Sequence, residues 1–110
     1  MEIVVAESNV QAVIDASEEQ IRVALEAIAL QAEGYAILNC PVDTGRLRDS
    51  ITHEVEDNVA YIGTNVEYAP YVEFNDNAQH KVGKAHFLRD AVADHSDEYK
   101  QIADTYLREK

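Results

Sequence analysis

Asp43-Thr44-Gly45 is the string with the clearest chemical potential in this sequence. Aspartic proteases carry Asp-Thr-Gly at the catalytic turn, where two aspartates share a proton across a dimer axis, and a short chain can supply one of the pair. Tyr61-Ile62-Gly63 imitates the apolar-apolar-glycine segment found later in such folds. Three features oppose that chemistry. Those proteases are nearly all-β, whereas the residues ahead of Asp43 have the pattern of a helix of about five turns. A small residue should follow the glycine, yet Arg46 stands there and Arg48 lies two residues on. A guanidinium beside the dyad would upset the shared proton. A structural use fits better. Asp43 or Thr44 can cap a short helix by accepting from its free N–H groups. Gly45 allows close approach or an unusual φ, and Leu47 and Ile51 turn inward. Arg46 and Arg48 then pair with carboxylates, a neighbouring subunit's among them.

The remaining reactive residues form no constellation. His53, His80, His86 and His95 are scattered over different segments without the spacing of a helical zinc motif, and Cys40 is alone. A lone cysteine makes no intrachain disulfide, suits a reducing compartment, and behaves as a small buried hydrophobe. No serine or cysteine sits in a nucleophile-elbow context and no glycine-rich phosphate loop is present. The sequence therefore predicts no catalytic residue, no cofactor and no metal.

Composition narrows the partners. The chain has 110 residues, one domain's worth, with 46% hydrophobic residues and no tryptophan. Lys+Arg total 9 against 21 Asp+Glu, so the formal charge is −12. That excess opposes binding nucleic acid by phosphate neutralisation and docking on an anionic membrane. It raises instead the idea of an inhibitor that imitates DNA, which needs carboxylates arrayed on one face. Here they are spread through every segment, alongside Arg46, Arg48, Arg89 and Lys100. Glu2 and the absence of a basic start argue against a signal peptide. The longest uncharged run, Gly34 to Val42, is too short to span a bilayer. A soluble protein, cytoplasmic when made, is expected.

The elements that must position these residues follow from local patterns. Ile3-Val4-Val5 reads as an edge strand, and a brief helical segment runs through Val10, Val13 and Ile14. Ser17-Glu18-Glu19-Gln20 is a capping-box pattern opening a long helix that ends near Asn39, because Pro41 cannot continue it. One apolar stripe of this helix is Ile21, Leu25, Ile28, Ala32 and Tyr35. A second is Val23, Ala27, Leu30, Gly34 and Ile37. A helix apolar over most of its circumference is buried on more than one side, by its own domain or by a neighbouring subunit. Asp57-Asn58 suits positive φ and joins Ile51–Glu56 to Val59–Thr64 as a β-hairpin. Around Pro70, the aromatics Tyr68, Tyr71 and Phe74 suggest a helical turn packed on that hairpin. Residues 75–84 are polar, contain Gly83, and read as a mobile loop, with Lys81 and Lys84 as a local basic pair able to dock on a carboxylate-rich neighbour. From His86 on, Leu88, Ala91, Val92, His95, Tyr99, Ile102 and Tyr106 recur at helical spacing. The expected fold is α+β, with long N-terminal and C-terminal helices packed on a small antiparallel sheet.

Three strings together carry a resemblance. Pro41 to Ile51, Gly63 to Phe74, and Phe87-Leu88-Arg89-Asp90-Ala91 resemble, in order and spacing, the blocks of a family of phage neck or head–tail joining proteins. The likeness covers roughly residues 10 to 107. Asn75 stands where the family usually has glycine, and Asp90 where it has proline. The resemblance implies a structural virion protein of long-tailed phages without catalysis. It implies a homo-oligomeric ring, a hexamer or dodecamer, between portal-side connector or stopper rings and the tail terminator or tail tube, with DNA passing through the lumen unbound. Neck, tail-completion and tail-terminator rings remain open. Motif and interface residues are then Asp43, Thr44, Gly45, Arg46, Leu47, Tyr68, Tyr71, Glu73, Phe74, Phe87, Leu88 and Arg89, with Lys81, Lys84, Val23 and Leu30 facing neighbours. Its acidity either lines the DNA channel or is simply a soluble surface.

Overall fold

A computed structural model describes residues 1–7, 17–41, 45–74 and 85–108. Strand β1 (Glu2–Glu7) precedes the long helix α1 (Glu18–Asn39) and the short helix α2 (Arg46–Asp49). The hairpin β2 (Thr52–Glu56) and β3 (Val59–Gly63) follows, then helices α3 (Ala69–Phe74), α4 (Phe87–Ala93) and α5 (Ser96–Arg108). The fold is α+β. The expected segment through Val10, Val13 and Ile14 lies outside the described residues, as do Asp43, Thr44, Lys81 and Lys84.

Helix α1 begins and ends where its sequence dictates. The Ser17 side chain accepts the Gln20 N–H while the Gln20 side chain accepts the Ser17 N–H, each at 3.0 Å. These bonds satisfy two of the donors that a helix start leaves open. At the other end, Cys40 is extended and Pro41 follows.

The sheet is antiparallel in the order β1-β3-β2, which leaves β1 at an edge as expected. Asp57 and Asn58 turn the hairpin with φ of 54° and 64°, the left-handed pair that matches strand twist. Register places Ile3, Ile62 and His53 side by side on one face and Val4, Tyr61 and Glu54 on the other. The first face packs under α1. A bulge falls between Val4 and Ala6.

Helix α1 therefore lies centrally, touching all three strands and also α4 and α5. Many of its buried residues are alanines, Ala24, Ala29, Ala32 and Ala36 among them, which lets neighbouring backbones come close. Ile28, Ile62, Phe87 and Leu88 fill the larger spaces of the main core.

The C-terminal region differs from the single helix its periodicity predicts. It breaks at Asp94-His95 into α4 and α5. Ser96-Asp97-Glu98 is itself a helix-start pattern, with acidic residues at the positive end of the backbone dipole. Both pieces pack on α1, so the apolar period runs through the break. Tyr99, buried in α5, reaches back to donate its hydroxyl to the Ala91 carbonyl at 2.5 Å. Helix α3 also departs from expectation, since its strongest packing is on α4 and not on the hairpin.

Candidate functional site

The motif residues do not gather into a reaction centre. They form two clamps that hold the chain's three signature segments together. The first begins at Gly45, whose φ of 75° puts it in the left-handed region and makes it the N-cap of α2. A side chain at that φ would be strained. The turn sends Leu47 inward, where it is buried with Ile51 as expected. Arg46 points outward and meets Glu67 through two hydrogen bonds of 2.9 and 3.1 Å. Its guanidinium also stands over the Tyr68 ring at 5.5 Å. The hydrogen bond and charge of Arg46 hold the Glu67 carboxyl below its ordinary range, and Glu67 in turn raises Arg46. This arginine thus finds its carboxylate within the chain. Behind it, the Ser50 and Thr64 hydroxyls bond at 2.5 Å, and Thr64 accepts the Val66 N–H at 3.1 Å.

The second clamp centres on Glu73, which is 1% exposed. Its two carboxyl oxygens accept the backbone N–H groups of Leu88 at 2.9 Å and Arg89 at 3.1 Å. These are open donors of the first turn of α4, so a side chain from α3 caps a helix that starts thirteen residues after α3 ends. His86, the N-cap, has φ 59° and no side-chain cap bond of its own. Its N–H donates to the Glu73 carbonyl at 2.9 Å, which holds that conformation in place. Phe87 and Leu88 are fully buried, while Arg89 lies outward and pairs with Asp90 at 3.1 Å.

Two further groups join elements and were not legible in the sequence. His53 of β2 sits between Glu33 at 2.5 Å and Glu26 at 3.3 Å, both from α1. The Tyr35 ring stacks on His95, and its hydroxyl donates to Glu98 at 2.6 Å. That bond raises the Tyr35 pKa. Glu26 and Glu33 are one heptad apart, a spacing that marks a shared helix face without naming the partner opposite. Among the described residues no group of three or more His, Cys, Asp or Glu could hold a metal ion.

The second apolar stripe of α1 is turned fully outward only at Leu30 and Gly34, with Leu38 exposed beside it. Leu30 is 59% exposed and Leu38 is 75% exposed. Gly34 is also exposed, and Val23, Ala27 and Ile37 are half-buried. Ile37 still touches the core margin. Tyr71 and Phe74 are likewise exposed, two aromatics the domain itself leaves uncovered.

The family described as "Bacteriophage HK97-gp10, putative tail-component" matches residues 6–74. The chain belongs to this HK97-gp10-like family of phage tail components. The matched span holds the first two signature segments, together with Arg46 and Glu67. The third, Phe87 to Ala91, lies beyond it and is tied to the family region by Glu73. No match is found among curated proteins or solved structures. Membership makes this a structural protein of a phage particle. No helix among the described residues is long and apolar enough to cross a membrane.

Proposed function

We propose that copies of this chain form a homo-oligomeric ring, a hexamer or dodecamer, at the head–tail junction. The ring connects the portal-side connector to the tail tube and lets DNA pass through its lumen without specific binding. The observation that carries this reading is the outward stripe of α1. A soluble single chain gains nothing from exposing Leu30 and Leu38 on one helix face, whereas a ring subunit needs an apolar surface for its neighbour. The reading includes no catalysis. It accounts for Arg46 and Glu73 as residues that hold signature segments in place. Lys81 and Lys84 are assigned to contact with a neighbouring carboxylate-rich subunit.

Electron microscopy of particles assembled without this protein tests the reading. Heads and tails should accumulate unjoined, with density missing at the neck. Joined particles at the normal yield would overturn it. Replacing both Lys81 and Lys84 with glutamate should lower the joined fraction, and an unchanged fraction would remove the lysines from the assembly surface.

A further inference from the structure

We propose that the free edge of β1 is a docking site for an extended strand of another protein, one that alternates basic and apolar residues. Among the described residues no strand pairs the far side of β1, since β3 takes only one of its edges. Register shows which backbone groups are available. Met1 and Thr64 exchange two hydrogen bonds, Met1 N–H to the Thr64 carbonyl at 2.8 Å and Thr64 N–H to the Met1 carbonyl at 2.9 Å. In an antiparallel ladder such pairs recur at every second residue. Ile3 therefore bonds to Ile62, while the N–H and C=O groups of Glu2 and Val4 point away from β3 toward the open edge.

An apolar groove runs along that edge. It has a volume of about 410 Å³, and Ile3, Val4, Phe74, Val92 and Ala93 line it together with the polar Glu73, His86 and Arg89. Ile3 belongs to the inner face of β1 and Val4 to the outer face, so the groove opens at the strand edge itself. Val4 is 49% exposed and Phe74 is 66% exposed. A strand added here gains main-chain hydrogen bonds from the edge and places alternate side chains in the groove.

Charge decides what the other side chains are. The outer face of the sheet carries Glu2, Glu7, Glu54 and Glu56, all exposed. Glu2 and Glu7 would be immediate cross-strand neighbours of an added strand, so lysine or arginine is favoured on its outer side and glutamate is repelled. A second copy is a poor occupant. The described strands of this chain read EIVVAE, THEVE and VAYIG, the two edge strands acidic and none of the three carrying Lys or Arg. This inference goes beyond the ring reading and does not depend on it, because the α1 stripe takes no part.

The test uses the whole chain and a fluorescent, end-capped peptide of about eight residues that alternates lysine with valine, a normal strand length. Anisotropy at physiological salt should show saturable binding. A peptide with the same residues in two blocks should bind about tenfold more weakly, as should one N-methylated at every peptide nitrogen. Val4→Pro removes an edge donor without touching the β1–β3 ladder and should cost about tenfold. The double variant Glu2→Lys, Glu7→Lys is a second probe of the same edge and should also weaken binding. No binding of the alternating peptide overturns the proposal. Equal binding of the block peptide does so too, since charge alone would then suffice, as does full affinity in both protein variants. Sedimentation showing self-association that Val4→Pro abolishes would assign the edge to a second copy and overturn the basic partner.

Discussion

Arg46 and Glu67 face each other fork to fork, Nη1 donating to Oε2 at 3.1 Å and Nη2 donating to Oε1 at 2.9 Å. The pair joins the turn after α1 to the segment after β3 and is largely solvent-exposed. Its effect on stability is therefore modest and salt-sensitive. It also has a defined pH signature. Arg46 lowers the Glu67 pKa, so the stabilisation is present above the unfolded carboxylate pKa and disappears as pH falls through the folded one. Urea midpoints of wild type and Glu67→Gln should differ at neutral pH, less so in high salt, and converge in acid. A gap independent of pH would show that the pair is not the source.

Glu73 is where loss should be felt most. Glu73→Ala leaves the Leu88 and Arg89 N–H groups without acceptors at a buried helix start, at a cost of about 2 kcal/mol or more. Glu73→Gln keeps one carbonyl oxygen and should cost about half as much. Urea denaturation at neutral pH measures both. Equal, small effects would mean that water replaces the cap.

The α1 stripe separates folding from assembly. Leu30→Asp should change folding stability by no more than about 0.5 kcal/mol, since the side chain is already exposed. It should nevertheless abolish oligomer formation in size-exclusion chromatography. Val23→Asp should act similarly, with more damage to folding because Val23 is half-buried. Helical content and assembly lost together in Leu30→Asp would put the stripe to use within the chain.

Gly34 offers a complementary test on the same stripe. A methyl group there meets nothing within 4 Å in the single chain. Gly34→Ala should stabilise the free subunit by about 0.5–1 kcal/mol through helix propensity. If a neighbour's helix packs closely at this point, the same substitution should weaken the ring. Calorimetry and particle yield should then move in opposite directions.

Tyr99 contributes on the alkaline side. Burial pushes its phenol pKa well above the ordinary value, so its stabilisation is complete below about pH 10 and is lost as pH rises beyond the unfolded value. Tyr99→Phe should cost about 1 kcal/mol at neutral pH, for the lost bond to Ala91. Its stability curve should also be flatter above pH 10, which alkaline melts would show.

Legibility in the sequence followed the range of the interaction. The bounds of α1 were readable because Ser17, Gln20 and Pro41 act within a turn of the helix ends, and the hairpin because Asp57-Asn58 encodes its own φ. The break before α5 was hidden because Leu88, Ala91, Tyr99 and Ile102 keep one period on both sides of it, although Ser96-Asp97-Glu98 marked the restart. Glu73 stood out in the sequence, but its role did not. A cap supplied from another helix depends on where the fold brings α3, and no local pattern records that. The same holds for Glu67, placed twenty-one residues from Arg46, and for the His53 contacts with α1.

The stitch between Glu73 and His86 joins two points of the scaffold thirteen residues apart in sequence. The 2.9 Å backbone bond between them draws together the end of α3 and the N-cap of α4, on either side of the insert 75–85. The length of that insert is then almost independent of the fold's stability, because doubling a closed loop adds only about 0.6 kcal/mol of entropic cost. Insertions or deletions in this stretch should therefore leave the scaffold standing. An epitope or fluorescent tag grafted there should leave the domain intact.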